Sequence, residues 1–350
     1  MPAPLTALRS LGRTPPGRSL AIDLGTANTL VHVRGRGVLY NQPTVIAVDQ
    51  RTGDILAMGT NAYAMIGRTP GHIIAVRPLR SGAVSDFDTA ARMLRMLFAQ
   101  VGVNRVAKPR VIVCVPTAIT EVERRAVLEA AIHAGARSAY LIEEPMAAAI
   151  GAGLPVAEPT GSVIVDVGGG TTEVACIALG GIVTCHSVRV GGFDMDAAIQ
   201  HYVRREYAVA IGERSAEGLK AILGAAHMAW ATGKAEVRGR DIASGLPRTL
   251  LVSADELCEA LDDTVDLIVQ AVLETLANVP PELAQDVLDK GIFLSGGGSL
   301  LRGLDTRIAE QAQVAVHRTD APLACVVRGA GRTVDSFHDL AGLFLRAGPR

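Results

Sequence analysis

The stretch SVIVDVGGGTT, Ser162 to Thr172, decides the fold. Val163, Ile164 and Val165 form a β-branched apolar run of the kind that suits a sheet interior. Asp166 ends the run, and Gly168, Gly169 and Gly170 let the chain turn sharply with no Cβ in the way. Thr171 and Thr172 follow, and residues 173–179 (EVACIAL) predict a second strand. A glycine loop between two strands can aim several backbone N–H groups at one anion, as phosphate-binding nests do. The carboxylate of Asp166 suits a hydrated Mg²⁺, which prefers carboxylate, water and phosphate oxygens. A plain glycine-rich hairpin turn accounts for the same residues.

A second copy shifts the balance. Residues 21–33 read AIDLGTANTLVHV, and Asp23, Gly25 and Thr29 stand at the same offsets as Asp166, Gly168 and Thr172. The two aspartates are 143 residues apart, too far for a solenoid and suited to two similar domains. Two such hairpins facing each other would grip a nucleotide's phosphates from both sides. A third loop, Ser295-Gly296-Gly297-Gly298-Ser299, follows the apolar residues Ile292, Phe293 and Leu294 and is expected to turn into a helix at Leu300. A strand-to-helix turn of this kind admits a ligand close to the backbone.

Between these loops the chain alternates. Strands are expected at 19–23, 29–33, 37–40, 44–49, 54–58, 110–115, 140–142, 181–190 and 292–294, with 236–241 a strand or loop. Helices are expected at 86–101, 120–133, 146–153, 195–207, 215–231, 253–277 and 281–290. Thr120 with Glu123, and Ser253 with Glu256, form capping boxes. Strands alternating with helices, twice over, predict an α/β fold of two duplicated domains with a nucleotide cleft between them. The expected division is a flexible basic tail at 1–18, one large lobe at 19–40, 80–150 and 325–350, and a second at 151–190 and 255–324. A small subdomain, at 41–79 and at 191–254, is inserted in each.

The chain has 350 residues, 49% hydrophobic and 20% charged, which describes a globular protein with a sizeable core. A net charge of −1 lacks the basic balance of a nucleic-acid binder, so no nucleic-acid partner is expected. Cys114, Cys176, Cys185, Cys258 and Cys325 make no Cys-x-x-Cys pair and read as reduced core residues of a cytoplasmic protein. No run is long enough to span a membrane or to serve as a secretion signal. Residues 1–18 carry Arg9, Arg13 and Arg18 and no acid, with Leu5, Leu8 and Leu11 as an apolar stripe. Such a segment suits an anionic membrane surface, although Pro2, Pro4, Pro15 and Pro16 favour a disordered tail.

Two pairs of charged residues complete the set of candidates. Glu143 and Glu144 fall at a strand end, where an α/β cleft places its chemistry, and Glu144 before Pro145 is expected to be extended. A carboxylate fixed near a γ-phosphate can orient or deprotonate water. Glu217 and Lys220 are three apart and share a helix face, which by spacing alone describes a solvated ion pair.

The motifs DLGTANTLV, GRTPG, TEVERRAV, LIEEPMAAAIGAGLP, DVGGGTTEVA, EVRGR, PPELAQDV and LSGGGSLLRGLD resemble the MreB proteins, the bacterial actin-like ATPases, over roughly residues 20 to 333. The resemblance implies an actin-like two-lobed fold that binds ATP and Mg²⁺. It places Gly25, Thr26, Ala27 and Asn28 on the first phosphate loop and Gly168, Gly169, Gly170 and Thr171 on the second. Glu217, Gly218, Leu219 and Lys220 match the nucleoside helix, and Gly296, Gly297, Gly298 and Ser299 the adenosine loop. Glu144 and Thr171 match the pair that positions the attacking water, and Asp23 and Asp166 the aspartates on the Mg²⁺ side, with Asp166 counted also among the catalytic residues. It further implies homopolymer filaments, peripheral association with the inner face of the cytoplasmic membrane, and partners in cell-wall synthesis and cell shape.

Three places depart from the pattern. Ala225 stands where serine is usual, and residues 225–232 are shortened. The loop 102–108, which usually carries bulky apolar residues, offers Val103 and Val106 beside Arg105. At the C-terminus Phe337, Leu340, Ala341 and Phe344 suggest one helical face, more often core than membrane contact. A weakly hydrolysing paralogue and a kinase or chaperone of the same fold are the alternatives. A DnaK-type chaperone is expected to need a further peptide-binding domain, for which 350 residues leave no room.

Overall fold

The computed structural model describes residues 19–80, 83–84, 87–103, 108–337 and 340–345. The chain opens with β1 (Leu20–Leu24), β2 (Asn28–Val33) and β3 (Gly37–Pro43), an antiparallel meander. Next come β4 (Ile46–Asp49), β5 (Ile55–Met58), α1 (Thr60–Met65) and β6 (Ile73–Val76), which form a small three-stranded unit, then the short hairpin β7 (Leu79–Arg80) and β8 (Ala83–Val84). The first half ends with α2 (Phe87–Gln100), β9 (Arg110–Val115), α3 (Glu121–Ala134), β10 (Ser138–Glu143) and α4 (Glu144–Ala152). The second half begins with β11 (Ser162–Val167), β12 (Thr172–Ala178), β13 (Gly181–Val188), α5 (Gly192–Tyr207), β14 (Val209–Ala210) and α6 (Glu213–Leu223). It continues through β15 (Lys234–Asp241), β16 (Pro247–Ser253), α7 (Ala254–Ala277) and α8 (Pro281–Lys290), then β17 (Ile292–Ser295), α9 (Leu304–Ala312), β18 (Val316–Arg318) and α10 (Cys325–Asp335).

The repeat in the sequence is a repeat in topology. One sheet runs β10-β9-β1-β2-β3 and the other β18-β17-β11-β12-β13. In each, the first three strands in chain order form the antiparallel meander, and the last two add in parallel after helical crossovers. The register agrees as well: Leu24 pairs with Thr29, and Val167 with Thr172, so each aspartate lies one residue short of its turn.

Both capping boxes form. The Thr120 hydroxyl accepts from the Glu123 backbone at the start of α3, and the Ser253 hydroxyl accepts from Glu256 at the start of α7.

Several elements differ from the expectation. The helix expected over 215–231 is α6, which starts at Glu213 and stops at Leu223. The chain leaves helical backbone at Gly224, and Arg302 caps the end: its guanidinium donates to Leu223 O (2.6 Å) and Gly224 O (3.1 Å), carbonyls with no partner further along the helix. Only a single turn, Met228–Trp230, follows. The helix expected at Leu300 is a short 3₁₀ turn over Gly297–Leu300, and α9 starts four residues later, after Gly303 in the left-handed region. Strand β16 had no counterpart in the sequence reading, although Leu250 and Val252 face inward and Thr249 and Leu251 outward. The extended backbone lies at Glu143 (φ −69°, ψ 137°), and Glu144 is the first residue of α4.

The C-terminal aromatics are core without being a helix. Among the described residues, 340–345 hold only a 3₁₀ turn at Ala341–Leu343. Phe337 and Phe344 stack at 5.1 Å, Tyr140 meets Phe337 edge-on at 4.9 Å, and the Arg110 guanidinium lies 3.9 Å from the Phe337 ring centroid. The cysteines are free, and four of the five are buried. Residues 1–18 and 104–107, which include Arg105 and Val106, lie outside the described residues; Val103 packs onto the core of the first sheet. Among the described residues no helix is long and apolar enough to cross a membrane.

Between the sheets lie α4 and α10. Met146, Ala147, Ala148, Ala149 and Ile150 of α4 and Val326, Ala330 and Val334 of α10 share one core with Ala21, Ile112 and Ile142 of the first sheet and Ile164, Ala175 and Ile177 of the second. The two helices touch backbone to backbone. A Cβ on Gly329 would lie 1.8 Å from Ala147 O, and one on Gly151 2.0 Å from Cys325 O. Gly329→Val therefore forces the helices apart, and we expect a loss of about 1–3 kcal/mol, read as a lower melting temperature in thermal unfolding. An unchanged melting temperature would show that the contact bears no load.

Candidate functional site

The two hairpin turns meet. A Cβ on Gly169 would lie 2.6 Å from Ala27 Cβ, so glycine is required for the second turn to approach the first. Beside it, Gly170 packs on the methyl of Thr26. Each turn is braced from behind. Thr44 holds the first, donating from Oγ1 to Gly25 O (2.7 Å) and from its backbone N–H to Ala27 O (2.8 Å). The start of α5 holds the second, where Gly192 N–H donates to Gly168 O (3.0 Å) and Phe193 N–H to Gly169 O (2.8 Å).

These turns form the floor of a cleft of about 390 Å³. Its lining brings together Asp23, Gly25, Thr26, Ala27 and Asn28 from the first hairpin and Asp166, Gly168, Gly169 and Thr171 from the second. It adds Glu144, Glu217, Lys220, Gly296, Gly297 and Gly298. Gly170, Gly218, Leu219 and Ser299 are not in the lining. Leu219 is buried in the core of the second half, and the Ser299 hydroxyl closes its own loop by donating to Gly296 O (2.7 Å). Gly296 has φ 80°, and a Cβ there would lie 2.3 Å from Val167 O, so the third loop rests against the end of β11.

The acids at the floor crowd one another. Burial first, then the charge of Asp166, push the Asp23 carboxyl up to about 7. Burial pushes Asp166 up to about 6, against the opposing effect of the Ser295 hydroxyl that donates to it. Glu144 is raised well above the carboxylate range by burial first and then by Glu173, Asp23 and Asp166. Glu173 lies across from Asp166 in the β11–β12 register. Its Oε1 accepts from the backbone (2.9 Å) and hydroxyl (2.7 Å) of Thr117, and burial leaves its carboxyl at about 7. Burial disfavours the ionised form of all four acids, and a cation bound beside the cleft-lining Asp23 and Asp166 would favour it. Among the described residues, no group of three or more His, Cys, Asp or Glu is arranged to hold a metal. Two aspartates beside a phosphate-sized nest instead suit an ion that takes few protein ligands and keeps its waters, as Mg²⁺ does.

The other end of the cleft is apolar. Ala221, Leu301, Pro322 and Leu323 line it, a wall suited to a flat base. Glu217 and Lys220 do not pair with each other. Lys220 donates to Gly192 O (2.7 Å) and pairs with the buried Asp196 at 2.8 Å.

Sequence reasoning missed Thr44, Asp196 and Arg302. Thr44 gave no signal beyond a strand start. Asp196 lies four residues after a Gly-Gly turn, inside a helix whose partner could not be known from spacing. Arg302 acts on a helix end that the sequence reading placed eight residues too late.

The sequence pattern of the MreB/Mbl protein family matches residues 17–342. The cell shape-determining protein MreB of Escherichia coli (strain K12) is 49% identical over 90% of this chain and 93% of its own. The cell shape-determining protein Mbl of Bacillus cereus is 42% identical over 94% of this chain and 99% of its own. The crystal structure of MreB5 of Spiroplasma citri bound to ADP superposes with a TM-score of 0.88 at 35% identity, covering 93% of this chain and 98% of that one. The same protein bound to AMPPNP gives a TM-score of 0.89. The fold is thus the actin-like one, two α/β lobes with a cleft between them and a small subdomain in each. From the paired hairpins to the third glycine loop, the chain belongs to the MreB/Mbl family.

Proposed function

We propose that this chain binds and hydrolyses ATP, polymerises with copies of itself, and acts in cell shape from the inner face of the cytoplasmic membrane. The observation that carries the reading is the meeting of the two hairpin turns, Ala27 against Gly169, with Asp23, Asp166, Glu144 and Thr171 around one cleft. The nucleotides in the Spiroplasma citri structures support the ligand, and the names of the curated relatives support the role in shape.

The residues divide the work by place. Thr26, Ala27 and Asn28 hold the phosphates from one side, and Gly169 and Thr171 from the other, through backbone N–H groups and hydroxyls, while Gly168 closes the turn by donating its N–H to Thr171 O (2.8 Å). Gly296, Gly297 and Gly298 admit the adenosine, and Glu217 and Lys220 face its sugar. Asp23 and Asp166 would hold a hydrated Mg²⁺, which when bound would offset charge on the phosphates. Glu144 orients the attacking water with Thr171, and its raised carboxyl, once ionised, is a good proton acceptor. The lobes divide at 19–40, 80–150 and 325–350 against 151–190 and 255–324, with 41–79 and 191–254 as the small subdomains.

Sedimentation tests the reading. With Mg²⁺, polymers should pellet with ATP and not without nucleotide; equal pelleting with ATP, ADP and no nucleotide would overturn ATP-dependent assembly. The same assay with anionic liposomes tests the membrane. Each arginine of the 1–18 tail adds about 1 kcal/mol near anionic lipid, too little to anchor one subunit, but a filament links many such contacts. We expect polymers to bind and monomers to stay free, with binding lost when residues 1–18 are removed. Equal binding by the truncated polymer would clear the tail and return attention to the 102–108 loop and the C-terminal stretch.

A further inference from the structure

The cleft is crossed by side chains that no glycine loop supplies. From the first half come Tyr63 of α1 and Arg77, next after β6; from the second come Glu213, Arg214 and Glu217 of α6. The Tyr63 hydroxyl donates to Glu217 Oε2. Arg77 pairs with Glu213, and its guanidinium lies 4.2 Å from the centroid of the Phe193 ring. Arg214 lies 5.1 Å from the centroid of the Tyr63 ring. Burial, then the hydrogen bond to Glu217, push the Tyr63 phenol up to about 12, so it stays a donor at neutral pH.

Glu217 therefore has two faces. It lines the cleft, and its Oε2 is engaged by a residue of the opposite half. A partly exposed glutamate ordinarily samples several rotamers, and fixing it on ligand binding costs conformational entropy. Here the Tyr63 hydrogen bond meets that cost before a ligand arrives. We propose that Tyr63 is a positioning residue for nucleotide recognition: by holding Oε2 from across the cleft, it presents Oε1 to the hydroxyls of a ribose. Sugar recognition is then completed by both halves of the molecule, and the ligand class is a ribonucleoside polyphosphate rather than any polyphosphate that fits the glycine loops. The inference rests on the nucleotide reading of the cleft.

Calorimetric titration with ATP and with 2′,3′-dideoxy-ATP, both with Mg²⁺, tests it. The wild-type chain should bind ATP roughly tenfold more tightly than the dideoxy analogue, the scale of one hydrogen bond to a charged group. Tyr63→Phe keeps the ring beside Arg214 and removes the hydroxyl. It should weaken ATP roughly fivefold and leave the dideoxy analogue within about twofold, so that the preference collapses. Arg77→Gln breaks the neighbouring ion pair without touching Glu217 and should keep the wild-type ratio. A Tyr63→Phe chain that weakens both ligands equally, or neither, would overturn the proposal, as would loss of the ratio in Arg77→Gln. Failure of the wild-type chain to bind ATP would instead overturn the nucleotide reading, and this inference with it.

Discussion

Asp166→Ala is expected to lower ATP affinity in Mg²⁺ by about 10²-fold, at the upper end for removal of a group that holds a metal through its water shell. Asp166 ends the apolar run of β11, faces the cleft beside Asp23, and is fixed there by the Ser295 hydroxyl. Alanine removes one of the two charges nearest the floor and so the local field that holds a hydrated ion. The same field works against the phosphates when no cation is present. The variant should therefore bind ATP in EDTA no worse than the wild-type chain. That crossing of the two conditions is the signature, and calorimetry with and without Mg²⁺ reads it. An unchanged affinity in Mg²⁺ would remove Asp166 from the metal side of the site.

Glu144→Ala should slow hydrolysis by roughly 10²-fold or more while ATP still binds. Glu144 is the first residue of α4 and only 9% exposed, so its carboxyl has little freedom to be replaced by another group. It is not among the residues of the glycine loops, which is why binding should survive its loss. Filaments made by the variant should persist longer after ATP is added. Single-turnover phosphate release decides the matter, and release at the wild-type rate would exclude the role in orienting water.

How much of this was legible beforehand depended on range along the chain. The two hairpins were plain because Asp, Gly and Thr recur at fixed offsets within seven residues, and backbone geometry alone needs them so. The capping boxes are equally local and formed as read. Most of what failed was set at a distance. Helix α6 stops at Leu223, where Arg302, some eighty residues later, caps the carbonyls of Leu223 and Gly224. Glu217 and Lys220 looked like each other's partner by spacing, yet one is held by Tyr63 and the other by Asp196. Ser299 belonged to a glycine loop in sequence and turns away from the cleft in space. The first two are tertiary contacts that no short pattern encodes; the third is a local bond from the Ser299 hydroxyl to Gly296 O that turns the side chain back into its own loop.

The glycine crossing of α4 and α10 limits how the molecule can change shape. With Gly151 and Gly329 already against opposing carbonyls, sliding one helix along the other would drive a side chain into backbone, so shear is blocked. Rocking about the crossing is not. Any such rotation would pivot on the pair, and displacement would grow with the length of the arm on either side of it. Glu144 sits at the end of α4 itself and would stay with that pivot. The arms end in the small subdomains, so a rotation too small to disturb the packed helices is felt most where Tyr63 reaches Glu217 and Arg77 reaches Glu213.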